Sequence, residues 1–187
     1  MALYMRYDYW TWDKFFNNKQ ILTLNKLIKN NIFEGSLDSP ATGAIKTSII
    51  KFVTYEPLKE QLKNIIDEVY RVNTTTFGYN LYSLRNKEIL FYNLYTSKLK
   101  SQYGWHMDGE LYNESSDSKF TLIINLSSKK YTGGKFYFFF EKPVHVKELD
   151  NPGSVILFKS YLVHKVDPVI KGERRTLSCW LKGPRFT

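Results

Sequence analysis

From Phe77 onward the chain is a succession of short aromatic and β-branched runs, and no other feature restricts its fold as tightly. The runs are GYNLYSL, EILFYNLY, FTLIINL, KFYFFFE, GSVILF and RRTLSCWL. Each has the length of a strand, and turn signals such as Gly133-Gly134 and Asn151-Pro152-Gly153 stand between them. Many short strands must bury their apolar faces against one another, which points to a β-sandwich or jelly roll.

The part before Phe77 reads differently. After Asn17, a helix N-cap type, Ile21, Leu24, Leu27 and Ile28 recur at helical spacing through about Asn31. A second helix is expected from Pro57, with a stripe of Leu58, Leu62, Ile65, Ile66, Val69 and Tyr70. Between them AIKTSIIKFVTY is a strand candidate. The expectation is a mainly β (α+β) fold, one domain over 1–187. Helical support covers about 1–76 and a jelly-roll core about 77–183, with both helices on one face.

Length and composition narrow the functional classes. The chain has 187 residues, 43% of them hydrophobic, enough for one ordinary core and too apolar for disorder. The longest apolar run, Phe136 to Phe140, is far below the roughly 18–20 residues of a membrane helix. The start, with Asp8 and Asp13 inside an aromatic stretch, does not look like a signal peptide. Cys179 is the single cysteine, so an intramolecular disulfide or thiolate cluster is excluded; in SCWL it reads as a small core residue. These features suit a reducing cytoplasm. The net charge is +9, but the lysines are scattered, so a solvated surface is favoured over a dedicated nucleic-acid face.

Chemistry enters through the histidines, of which there are three. His106 and Asp108 form an H-x-D pair in QYGWHMDGE, and in an extended segment both side chains share a face. His164 follows several strands later, in FKSYLVHKVDPV. Two imidazoles and one carboxylate with open positions opposite make the facial triad of Fe(II) oxygenases. An H-x-D pair alone is weak. Arg174, on the strand after His164, strengthens it. A dicarboxylate chelating iron at its keto-acid end needs a fixed, doubly donating cation for its far carboxylate, and a guanidinium fits that need. Thr176 shares the face of Arg174 and offers a hydroxyl to the same group.

The sequence resembles the prolyl 4-hydroxylase-like branch of the 2-oxoglutarate/Fe(II) oxygenases, including bacterial and phage PKHD-type hydroxylases. The resemblance spans roughly 78–183. It rests on YGWHMDG (103–109), LIINLS (122–127), YTGGKF (131–136), PGSVILF (152–158), HKVDPVIKGER (164–174) and the closing Trp180-Leu181. It implies a double-stranded β-helix with Fe(II) and 2-oxoglutarate between two sheets, and O2 as the other co-substrate. His106, Asp108 and His164 become the iron ligands and Arg174 the co-substrate anchor. Tyr95 is the nearest candidate for the tyrosine that family members place on the same carboxylate, two residues from its usual offset at Ser97. Tyr103 and Trp180 match positions that line the substrate proline, although Trp180 reads equally well as packing.

The implied activity is hydroxylation of a C–H bond, with peptidyl proline to 4-hydroxyproline the first choice. It releases succinate and CO2, and ascorbate is expected to support turnover. The rival readings are oxidative demethylation of alkylated nucleic acid and a non-catalytic jelly-roll binding module. Other residues take plainer roles: His145 in a loop or edge strand, Arg175 solvated, Trp105 and Met107 in the core, and 136–140 a buried strand. The sequence is silent on oligomeric state.

Overall fold

The computed structural model describes residues 7–33, 46–108 and 116–185. The first helix, α1 (Asn18–Asn30), opens on a capping box. The Asn17 side chain accepts from the Gln20 N–H, and the Gln20 side chain accepts from the Asn17 N–H. The second, α2 (Lys59–Val72), is entered through a 3₁₀ turn, Glu56–Leu58, with Pro57 in it. Gly78, in the left-handed conformation, closes the π turn that follows at Asn73–Phe77. No helix among the described residues is long and apolar enough to cross a membrane.

Among the described residues twelve strands form, in chain order: β1 (Tyr9–Trp12), β2 (Ile49–Thr54), β3 (Ile89–Thr96), β4 (Tyr103–His106), β5 (Asp117–Asn125), β6 (Thr132–Gly133), β7 (Phe136–Phe140), β8 (Lys142–His145), β9 (Val155–Lys159), β10 (His164–Val166), β11 (Val169–Lys171) and β12 (Glu173–Gly183). The major sheet has the order β1-β9-β5-β12-β3-β2, the minor sheet β4-β10-β7-β8, and β11 pairs with β6. The pairings are antiparallel. This is the expected jelly roll.

Strand alternation distributes the core to the two faces of the major sheet. Phe120, Leu122 and Ile124 of β5, with Leu177, Cys179 and Leu181 of β12, join Ile21, Leu24, Leu62 and Ile65 of the helices in one cluster. The intervening Ile123 packs with Phe136, Phe138, Phe158 and Val166 in a second cluster, between the sheets. Burial pushes the Cys179 thiol up to about 12, as suits a core residue.

Four expectations are corrected. GYNLYSL is not a strand. Its backbone is occupied elsewhere: the Asn73 amide brackets Tyr79 through both its N–H and its C=O, and Tyr82 N–H donates to Lys182 O. The apolar alternation is real, because Tyr79, Leu81 and Leu84 pack on the helix-side core, but no ladder forms. Trp105 and Met107 are exposed, 39% and 52%, because the outer face of the minor sheet is open to solvent. For the same reason the 136–140 strand is buried on one face only: Phe136 and Phe138 point in while Phe139 is exposed. The region 1–76 also contributes β1 and β2 to the major sheet, so it is more than helical support. Residues 44–45 of the strand candidate and 109–110 of QYGWHMDGE lie outside the described residues.

Candidate metal and co-substrate site

β4 and β10 lie side by side, with His164 directly opposite His106. Each imidazole is oriented by its own backbone: Nδ1 of His106 lies 2.7 Å from Gly104 O, and Nδ1 of His164 lies 2.8 Å from Leu162 O. Carbonyl oxygens only accept, so each Nδ1 carries a proton, and Nε2 is the nitrogen that each neutral ring would offer to a metal. Both Nε2 atoms face Asp108, 3.5 Å from Oδ1 for His106 and 3.5 Å from Oδ2 for His164. The three candidate donor atoms lie within 4.8 Å of one another, and this is the one such group among the described residues.

Asp108 is held by two direct hydrogen bonds, one of them supported by a further hydroxyl contact. Its N–H donates to Ser160 O (2.9 Å), Thr121 Oγ1 donates to its Oδ2 (2.9 Å), and Ser160 Oγ lies 3.1 Å from Thr121 Oγ1. Burial alone would raise its carboxyl, but His106, His164 and Thr121 hold it below the usual range. Burial pulls His164 down to about 4, so this imidazole is neutral near pH 7. A carboxylate and two imidazoles are a donor set suited to a divalent ion.

The opposite wall belongs to β12, where alternation puts Arg174, Thr176, Ser178 and Trp180 on the site-facing side. Arg174 is 1% exposed, yet its Nε and Nη2 have no hydrogen-bond partner. A buried guanidinium with unmade bonds is costly unless an anion completes it. Gly134 makes room for it: a Cβ there would lie 3.0 Å from Arg174 Cδ, at a φ of +61°. Tyr95 is the register partner of Arg174 on β3, with the guanidinium carbon 5.4 Å from its ring centroid. Thr176 is buried beside them.

Each predicted site residue lines one pocket: His106, Asp108, His164 and Arg174, with Tyr95, Thr176, Tyr103 and Trp180. Tyr103 has a second contact. Its ring stacks on His106 with centroids 3.3 Å apart, so it steadies a candidate ligand as well as lining the cavity. Trp180 packs edge-on against Phe91, and its buried Nε1 has no partner. His145 pairs with Asp150 on the minor sheet, and Arg175 with Glu173 at the surface. Sequence reasoning missed Thr121, whose inward position was readable from the alternation of FTLIINL, and Lys46, which no motif marks.

Fold and site together define a jelly-roll protein with a His-Asp-His group and a buried arginine lining one pocket. The family model of the 2OG-Fe(II) oxygenase superfamily matches residues 90–182. The chain belongs to that superfamily. A PKHD-type hydroxylase of Crocosphaera subtropica is 34% identical over 87 residues, which is 44% of this chain and 38% of that protein. The chain thus spans well under half the length of this curated relative. Among solved structures, a Pseudomonas putida prolyl-4-hydroxylase superposes with a TM-score of 0.70 at 17% identity, covering 96% of this chain and 94% of the other. A viral collagen prolyl hydroxylase from Paramecium Bursaria Chlorella virus-1 gives 0.68 at 18%, covering 97% and 99%. A Trichoplax adhaerens prolyl hydroxylase, solved with a hypoxia inducible factor peptide, gives 0.66 at 17%, covering 93% and 83%. At these identities the structures speak for the fold.

Proposed function

We propose that this chain is one catalytic unit, an Fe(II)- and 2-oxoglutarate-dependent dioxygenase. It hydroxylates peptidyl proline to 4-hydroxyproline, with ascorbate supporting turnover. His106, Asp108 and His164 hold the iron, and Arg174 takes the far carboxylate of 2-oxoglutarate, with Thr176 and Tyr95 beside it. The observation that carries this reading is the buried Arg174, whose Nε and Nη2 are unpartnered, lining the same pocket as the triad.

When bound, iron, 2-oxoglutarate and O2 supply the oxidising chemistry, with release of succinate and CO2. The protein's residues bind, orient and exclude water. The Gly104 and Leu162 carbonyls fix the tautomers of His106 and His164, and Thr121 fixes the carboxylate rotamer of Asp108. Arg174 sets the depth of the co-substrate through a two-pronged contact. Tyr103 and Trp180 form the aromatic walls that orient a compact pyrrolidine ring, and a few polar groups in an apolar frame give such a pocket its selectivity. The peptide complex of the Trichoplax enzyme supports a peptide substrate.

The test is an incubation of purified protein with Fe(II), 2-oxoglutarate, ascorbate and a panel of proline peptides and methylated oligonucleotides. Succinate release with one oxygen gained on proline is expected. Repair of the oligonucleotide with unchanged peptides would replace this substrate by the demethylase reading. No succinate from any mixture would leave a binding module.

A further inference from the structure

The triad and Arg174 do not use every charge in the pocket. Lys46 also lines it, half-buried and joined to Tyr103 by an isolated antiparallel bridge. Its Nζ lies 4.7 Å over the Tyr103 ring, the same ring that stacks on His106. No ion pair to Lys46 occurs among the described residues, in contrast to Lys159 with Asp8 and Lys165 with Asp167. Burial lowers its pKa to about 8, partly offset by Asp108, so it remains mostly charged at neutral pH.

Charge balance makes this lysine informative. A ferrous ion, the dianion of 2-oxoglutarate, Asp108 and Arg174 together sum to zero. Lys46 adds a positive charge that nothing in that set neutralises. Its ring partner Tyr103 belongs to the wall assigned above to the prime substrate, whereas the co-substrate anchor is Arg174. A further groove adjoins the site and is lined by Asp108, Phe91, Trp180, Lys87 and Lys182, with Glu88 as the second acid. The two lysines and two acids of that groove balance, so the surplus positive charge beside the metal site is that of Lys46, which suits a substrate segment carrying negative charge.

We propose that Lys46 selects the prime substrate by pairing with a carboxylate next to the carbon that is oxidised, an acidic residue adjoining the target proline. This rests on the reading of the pocket as an iron and 2-oxoglutarate site. The lysine acts before chemistry, as a specificity residue: the cation–π contact seats its ammonium on one face of Tyr103, and the N–H directions away from the ring meet the carboxylate.

The experiment measures peptide binding by fluorescence anisotropy to iron- and 2-oxoglutarate-loaded protein under nitrogen, where no turnover occurs. The labelled peptides carry Asp, Asn or Lys before or after a central proline, and a parallel set has alanine in place of that proline. Wild type should bind an Asp peptide about tenfold more tightly than its Asn counterpart, in at least one of the two positions. Lys46→Met should abolish the discrimination, and Lys46→Glu should invert it in favour of the Lys peptides, with 2-oxoglutarate affinity kept within about twofold. Circular dichroism identifies a misfolded variant, and Lys46→Met alone suffices if Lys46→Glu fails to fold. Absence of binding, discrimination below twofold, discrimination that survives Lys46→Met, or a selective loss of 2-oxoglutarate affinity would each overturn the assignment. The alanine set separates the two readings. Charge selection on both sets, with no oxygen gained on any proline when the same peptides are incubated with the loaded protein in air, retains Lys46's role and removes proline as substrate. Proline hydroxylation indifferent to flanking charge does the reverse.

Discussion

Replacing Arg174 by alanine removes the largest fully buried side chain among the described residues and the proposed partner of the co-substrate's far carboxylate. Two charge-assisted hydrogen bonds are lost, and a carboxylate enters a pocket where nothing else can meet it in the same way. Truncating one side of a buried charged pair costs about 2–5 kcal/mol. Taking about 3 kcal/mol, the apparent KM for 2-oxoglutarate should rise by roughly a hundredfold or more. Arg174→Lys keeps the charge but loses the planar fork, and should fall between. Arg175→Ala is the control: its guanidinium pairs with Glu173 at the surface, 2.7 Å away, and its loss should leave KM within about twofold. Arg174→Met should unfold no more easily than wild type without co-substrate, because it removes two unpaired buried donors and keeps most of the volume. In a thermal shift assay, 2-oxoglutarate should then stabilise wild type and not this variant. Succinate formation across a 2-oxoglutarate titration reads KM directly. A change below threefold in Arg174→Ala, or an equal change in Arg175→Ala, would refute the argument.

Single replacement of His106, Asp108 or His164 by alanine should abolish iron-dependent succinate formation, and activity near wild type in any two of them would remove the ligand assignment. Thr121→Val keeps shape but deletes the 2.9 Å bond to Asp108, so iron affinity should fall by about 10–100-fold with the fold intact; unchanged affinity in a metal titration would deny Thr121 this role. The pKa of His164 lies at about 4, below its unfolded value near 6.5, so the unfolded chain binds the extra proton between these limits. Metal-free stability should therefore be complete above pH 6.5 and decline towards pH 4, by about 3 kcal/mol. Urea unfolding should show a shallower pH slope in His164→Asn, and an equal slope in both proteins would assign the loss elsewhere. Gly134→Ala should weaken 2-oxoglutarate binding by crowding Arg174, with a KM unchanged from wild type as the contrary result.

How much of this was readable from residues alone depends on whether the signal was local. The face shared by Arg174, Thr176 and Trp180 follows from strand alternation, and so does the opposite face with Leu177, Cys179 and Leu181. The pairing of His106 and Asp108 is likewise local, and the helices declare themselves through Asn17 and two apolar stripes. What stayed hidden is non-local. The four-residue strand Tyr9–Trp12 owes its existence to β9, which lies at the far end of the sequence. The alternation in GYNLYSL is genuine burial, but only the Asn73 side chain and the Lys182 carbonyl reveal that no ladder forms. Trp105 misleads because an aromatic beside a candidate ligand looks like core, whereas it lies on the open face against Phe139. Lys46 has no local mark at all; its meaning arises when β4 brings Tyr103 beneath it.

The central claim is that one pocket binds Fe(II) through His106, Asp108 and His164 and 2-oxoglutarate through the iron and Arg174. An anaerobic titration of 2-oxoglutarate into the Fe(II)-loaded protein, followed by visible absorption, tests it most directly. An Fe(II)-bound 2-oxo acid gives a charge-transfer band that neither component shows alone. Wild type should develop this band and saturate with one co-substrate per chain. Asp108→Ala should show none, and Arg174→Ala should need far higher concentrations. Absence of the band in wild type at saturating iron and 2-oxoglutarate, or its persistence in Asp108→Ala, would contradict the account.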